Sequence, residues 1–218
     1  MNSELINRIL TSVILLPVLV YCSYYSGFHL IVFLGFMYFF SSYEIIKNTK
    51  NLLFNLFANI ILIFAFFSFY YLRGDTNYSL IILYWILIST FLSDIGGYVF
   101  GKIFKGKKLT KISPNKTYSG SIGSVVFSFI SLPFLNLFQF FFLKTLLINF
   151  YQLKYFLLTL LISIICQLGD LYVSFWKRKI KIKNISNILP GHGGILDRID
   201  GLIFVLIFYF ILKKIGLI

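Results

Sequence analysis

Charge is scarce in this sequence, and acid is scarcer than base. Only 12% of the 218 residues are Asp, Glu, Lys or Arg, and seven acids stand against 20 Lys and Arg. A soluble domain carries about a quarter charged residues, so an ordinary water-soluble globule is excluded. Cysteine is also rare. Cys22 and Cys166 lie inside apolar runs with no partner at metal-ligand spacing, which excludes a disulfide scaffold. Both read as small buried hydrophobes. There is no repeat of 20–50 residues and no low-complexity linker. Alternation with period two is too limited for a membrane barrel. Arg8 precedes a long apolar run, and Leu15–Tyr25 contains no small-residue cleavage site. The first segment is therefore expected to be a retained span and not a cleaved signal.

What the chain has in abundance is hydrocarbon: 59% of its residues are hydrophobic and its mean hydropathy is +0.88. Spans of about 20 residues divide such a chain better than domains do. Seven segments are long enough: Ile9–Tyr25, Phe28–Ile46, Leu52–Leu72, Tyr78–Phe100, Gly120–Phe138, Tyr155–Phe175 and Gly201–Ile218. Backbone groups in hydrocarbon must be satisfied internally, so each is a helix. The predicted fold is an all-α polytopic bundle of about seven helices, within a range of six to nine, forming one membrane domain over 1–218. Phe138–Lys154 is interrupted by Lys144, Asn149 and Gln152. Charge asymmetry decides its status. Seven spans with a cytoplasmic N-terminus put 15 of the 20 cations on the cytoplasmic side. Arg73, Lys144, Lys154, Lys213 and Lys214 are left outside. An eighth span would separate the two lysine-rich loops, so 138–154 is expected to be an external interfacial segment.

The net charge of +13 would suggest nucleic acid in a soluble protein. Here the cations gather in short loops between apolar segments, so topology and phosphate binding explain them and no nucleic-acid partner is expected. The two loops that matter lie near 101–119 and 176–200. Four of the seven acids, Asp94, Asp170, Asp197 and Asp200, fall close to them. Asp94 lies eight residues before Lys102 and Asp170 seven before Lys177. On helices rising 1.5 Å per residue, both sit about 10 Å from the loop ends. Asp197 and Asp200 are three apart and share a helical face. Carboxylates gathered there need cations, either Lys and Arg or a hard ion such as Mg²⁺ (or Mn²⁺). The bland alternatives are helix-packing polar groups and ordinary ion pairs.

The segment Ser174–Asp200 breaks the apolar pattern most sharply. It holds six cations, a Pro-Gly-His-Gly-Gly turn and two carboxylates. Glycines beside His192 would let backbone N–H groups approach a phosphate. Ser174, Lys177, Arg178, Lys183, Ser186, Leu189, Pro190, His192, Gly193, Gly194, Asp197, Arg198 and Asp200 together resemble the signature of the phosphatidate cytidylyltransferase (CDP-diacylglycerol synthase) family. Ser93–Gly101, Ser113–Thr117, Arg8, Leu10–Pro17 and Glu44 are also similar to that family, so the resemblance covers most of the chain. The departures are Val173 in place of an acid, Asn184 in place of Asp, Tyr118-Ser119 in place of Trp-Glu, and Gly201 in place of Ser.

The resemblance implies transfer of the cytidylyl group of CTP to phosphatidate, giving CDP-diacylglycerol and pyrophosphate for phospholipid biosynthesis. It implies an enzyme in the bacterial inner membrane, facing the cytoplasm, and a homodimer. Asp170, Asp197, Asp200, Lys183 and Arg198 would be catalytic, with Asp170, Asp197 and Asp94 on the metal. Ser113, Asn115, Lys116, His192, Gly193 and Gly194 would serve CTP. Lys177 and Arg178, at headgroup depth, would hold phosphatidate. The competing readings are a CTP-dependent polyprenol or phytol kinase, and an anion transporter. The transporter is disfavoured because the acids lie at one face and not at the midplane. The Asp-Gly-x-x-Ala-Arg pattern of a CDP-alcohol phosphotransferase does not occur.

Overall fold

The computed structural model describes residues 3–110, 113, 116–143, 147–182, 185–186, 188 and 193–218, without the side chains of 3–12 and 142–143. Its helices are α1 (Ser3–Tyr25), α2 (Gly27–Asn48), α3 (Leu52–Arg73), α4 (Asn77–Phe104), α5 (Tyr118–Ser128), α6 (Ser131–Phe138), α7 (Leu153–Lys179) and α8 (Leu196–Lys214). A π-helical turn, Gln139–Leu143, extends α6. Five of the seven apolar segments are each continuous helix, Gly120–Phe138 is split between α5 and α6, and Gly201–Ile218 is helical as far as Lys214. Among the described residues, five helices are long and apolar enough to cross a membrane: α2, α3, α4, α7 and the α5–α6 run from Tyr118 to Phe141. The protein is an integral membrane protein with an all-helical bundle.

Burial runs opposite to that of a soluble bundle. Phe28 and Leu53 are 77% and 78% exposed, and apolar side chains along α1–α3 line the outside. Patches of this extent mark contact with lipid. The centre belongs to α4, where Leu80–Leu83 and Trp85–Leu87 are buried in succession. A helix enclosed on all sides has no polar face to show. Trp85 is completely buried, donates to Thr159 Oγ1 at 3.2 Å and packs against Tyr155, Tyr209 and Phe150.

Small residues set the closest helix contacts. Gly96, Gly97 and Gly101 of α4 face Gly120, Gly123 and Ser124 of α5. A Cβ on Gly120 would come within 2.8 Å of the Gly97 carbonyl oxygen. Helices in lipid associate through such small-residue faces, because hydrocarbon offers no hydrophobic drive between them. On the other side of the bundle, Gly169 packs on Phe204 and Gly201 on Cys166, so α7 and α8 approach closely. The break between α5 and α6 falls at Phe129–Ile130, four residues before Pro133. Proline there lacks the N–H for that turn, and its ring crowds the Phe129 carbonyl.

The 138–154 segment departs from the expected interfacial strip. Between Leu147 and Gln152 there is no helix. Ile148 and Phe150 are buried, however. Gln139 Oε1 accepts from Ile148 N–H at 3.0 Å, and Asn136 Oδ1 accepts from Phe150 N–H at 3.0 Å. Two amides on α6 and the π turn thus satisfy the backbone of a segment that folds back into the protein. Lys144 lies outside the described residues.

Candidate active site

Both basic loops lie at one end of the bundle, and the turn after α4 begins the site. Lys105 (φ 51°) and Gly106 (φ 102°) adopt left-handed conformations that reverse the chain. Lys108 and Thr117 then pair as an antiparallel bridge. Leu109 N–H donates to the Lys116 carbonyl at 2.7 Å, and Tyr118 N–H to the Lys107 carbonyl at 3.1 Å. Thr117 caps α5, its Oγ1 accepting from Gly120 N–H at 3.1 Å. This short hairpin carries Lys116 over α7, where its Nζ meets Asp170 Oδ2 at 2.5 Å.

The second half comes from α7 and α8. Lys177, in the last turn of α7, places its Nζ 2.9 Å from Asp197 Oδ1 and 3.6 Å from Asp200 Oδ2. Asp197 Oδ2 accepts from Ile185 N–H and Gly194 N–H, both at 3.0 Å. One carboxylate therefore ties the loop between the two helices to both of them. Asp94 of α4 is exposed and accepts from the Cys166 thiol at 3.5 Å. Ser121 and Gln167 hydrogen-bond at 2.5 Å and join α5 to α7 beside the same space.

These groups surround one polar cavity of about 470 Å³. Its walls include Asp94, Asp170, Asp197, Asp200, Lys116, Lys177, Arg198 and Ser113. That volume lies in the range of small-molecule sites, about 300–1,000 Å³. Ile45, Phe54, Leu62, Val173, Trp176 and Leu196 line a separate, shallow apolar groove. Phe54 and Trp176 stack there, their ring centroids 5.0 Å apart. Val173, where an acid was expected, belongs to this groove and its core cluster.

Eight of the expected site residues thus meet in one cavity. Three placements differ from the sequence reading. Lys177 is buried between two carboxylates and is not an open surface cation, because Asp197 and Asp200 of the next helix hold its ammonium. Arg178 is exposed and donates to the Ile182 carbonyl at 3.1 Å, outside the cavity. The Gly194 N–H is directed to Asp197 and is not left open for a phosphate. Gly193, with φ 84°, supplies the left-handed turn next to it. Lys183, Asn115 and His192 lie outside the described residues. Sequence reasoning also left Thr117, Ser121 and Gln167 without a role, and treated Glu44 only as part of a resemblance. Its signal was present: a lone acid near the end of a long apolar helix.

With this geometry in hand, comparison with known proteins is decisive. The model of the cytidylyltransferase family matches residues 47–215. The chain belongs to the cytidylyltransferase family. Three curated relatives are each named phosphatidate cytidylyltransferase. That of Rickettsia conorii is 36% identical over 143 residues, 64% of this chain and 60% of its own. That of Staphylococcus haemolyticus is 43% identical over 143 residues, 65% and 51% respectively. That of Bacillus subtilis is 40% identical over 150 residues, 68% and 53% respectively. The chain thus spans about half to three-fifths of the length of the curated relatives it matches. The matched family region includes every cavity residue named above.

Proposed function

We propose that this chain transfers the cytidylyl group of CTP to phosphatidate, forming CDP-diacylglycerol and pyrophosphate. The observation that supports it best is the cavity itself. It joins four of the chain's seven acids to three cations, and α7 and α8, which wall it, also line a separate apolar groove. A polyanionic soluble substrate and an amphiphilic one need such an arrangement.

In the reaction, an oxygen of the phosphatidate phosphate forms a bond to the α-phosphorus of CTP. The bond from that phosphorus to the β-phosphate bridging oxygen breaks, and its electron pair leaves with pyrophosphate. The attacking phosphomonoester is already ionised near neutral pH, so no side chain need remove a proton. The obstacle is repulsion between two anions. Lys116, with its ammonium over the cavity, and the exposed Arg198 guanidinium supply charge to the triphosphate. Such fixed donors act most strongly where charge develops. Lys177, held by Asp197 and Asp200, places a third cation in the cavity wall. The phosphatidate headgroup would meet it there, inside the protein.

Among the described residues no three acids, histidines or cysteines form a ready-made metal cluster. Mg²⁺ does not require one, since it commonly takes one or two carboxylates together with substrate phosphates and water. Asp170 and Asp94, both lining the cavity, would hold it as such a pair. When bound, the ion would neutralise the triphosphate and aid departure of pyrophosphate. The setting completes the proposal. One membrane unit of seven spans, including α1 and α8, would lie in the bacterial inner membrane as a homodimer, with both basic loops in the cytoplasm.

The test is purified protein with phosphatidate and CTP labelled in the cytidine or in the γ-phosphate, with and without EDTA. Cytidine label should enter the lipid fraction, and EDTA should prevent it. Label from the γ-phosphate alone in lipid would make the chain a lipid kinase and overturn the proposal.

A further inference from the structure

Among the described residues Glu44 is the one acid buried without any exposed surface, and it lies far from the cavity wall in sequence. Among the described residues no cation stands within ion-pair distance of it. Its carboxylate is instead surrounded by donors from the other end of the chain. Oε1 accepts from the Ser186 hydroxyl at 2.5 Å and from Ile195 N–H at 2.9 Å. Oε2 accepts from Leu196 N–H at 2.9 Å. One turn further along α2, Asn48 Nδ2 donates to the Ile185 carbonyl at 2.8 Å.

The first N–H groups of a helix have no partner within it. Ile195, which caps α8, carries no side-chain oxygen and makes no side-chain cap. Glu44 does that work from α2, and its negative charge suits the positive end of the helix dipole. The contact is tight: a Cβ on Gly194 would come within 2.8 Å of Glu44 Oε1. Next in the chain are Asp197 and Asp200, the two partners of Lys177.

We infer that Glu44 is a positioning residue for the reaction. It fixes the start of α8 and the turn before it, and so sets where Asp197, Asp200 and Lys177 face the cavity. It touches none of the reacting groups. The inference rests on the proposed cytidylyl transfer for its kinetic consequence, but not for its structural one.

The experiment compares Glu44→Gln, Glu44→Met and Ser186→Ala in the full chain, in detergent. Amide hydrogen exchange is measured over 193–200, and steady-state kinetics with CTP and phosphatidate. Gln keeps one acceptor and places an NH₂ group against a backbone donor, while Met keeps bulk and offers no comparable acceptor. Exchange at Ile195 and Leu196 should accelerate at least tenfold in Glu44→Met and less in Glu44→Gln. The kcat should fall in the same order, at least tenfold for Met, with both KM values within threefold of wild type. A packing role alone would leave Gln and Met alike. Ser186→Ala removes one donor without opening the helix interface, and should raise exchange and lower kcat two- to fivefold. Unchanged exchange at Ile195 and Leu196 in Glu44→Met overturns the inference, and if the Glu44 variants fail to insert, unchanged exchange in Ser186→Ala does so. Wild-type protein inactive toward CTP and phosphatidate would refute the proposed function, while the exchange data would still decide on Glu44.

Discussion

Removing the ammonium of Lys177 should do more damage to the folded protein than removing any surface lysine. Its Nζ stands 2.9 Å from Asp197 Oδ1 and 3.6 Å from Asp200 Oδ2, and all three side chains are between 11% and 12% exposed. At an effective dielectric of about 20, Coulomb attraction comes to about 6 kcal/mol for the Lys177–Asp197 pair. Desolvation of the three groups offsets much of this. The asymmetry is what matters, because deleting the ammonium leaves two buried carboxyl groups without their counter-ion. Breaking a buried pair in this way typically costs about 3–5 kcal/mol. Lys177→Met keeps the stem and deletes the charge, so it should destabilise the protein by about that amount. Reversible unfolding of detergent-solubilised protein in increasing SDS measures it. Adding Asp200→Asn removes one of the two carboxyl groups left without a counter-ion and should restore part of the loss. That coupling is the quantity a double-mutant cycle isolates. A single-variant loss below about 1 kcal/mol, the value of a surface pair, would refute the buried counter-ion assignment.

Asp170→Asn should leave the protein folded and reduce turnover by more than tenfold, equivalent to about 1.4 kcal/mol of barrier; activity above a tenth of wild type at saturating Mg²⁺ would remove Asp170 from the metal. Asp197→Asn should lose as much turnover and also speed amide exchange at Ile185 and Gly194, whose N–H groups its Oδ2 holds; turnover loss with no change in exchange would contradict the observed loop geometry. Gly123→Leu should break the α4–α5 contact, where even a Cβ would meet Phe100 and the Gly96 carbonyl, and lower stability by at least about 2 kcal/mol in the SDS assay. Single cysteines at Ser113 and Ser186, with Cys22 and Cys166 replaced, should react with an impermeant maleimide from the same side of the membrane; opposite accessibility would place the two loops apart and dismantle the shared cavity.

Much of this molecule could be read without coordinates. Hydrocarbon cannot hydrogen-bond a backbone, so the seven apolar segments had to be largely helical, and they are, although Gly120–Phe138 is broken into two helices. Charge is costly in lipid, so acids kept near the loops had to be gathered and paired. Asp94, Asp170, Asp197 and Asp200 do line one cavity with Lys116, Lys177 and Arg198. What periodicity could not supply is pairing across the bundle. Lys177 looked like a surface cation because it follows a span. Its direction was decided by two carboxylates 20 and 23 residues further on, brought near where Gly169 and Gly201 let α7 and α8 approach. Gly194 looked like a phosphate cradle, but its N–H belongs to Asp197 and its missing Cβ makes room for Glu44. Glu44 itself is separated from Leu196 by 152 positions. Sequence determined which groups could not be left alone in the membrane, because solvation penalties depend on residue type. Tertiary structure decided which partner each one found, because hydrogen bonds and ion pairs depend on distances of about 3 Å that only the packed helices set.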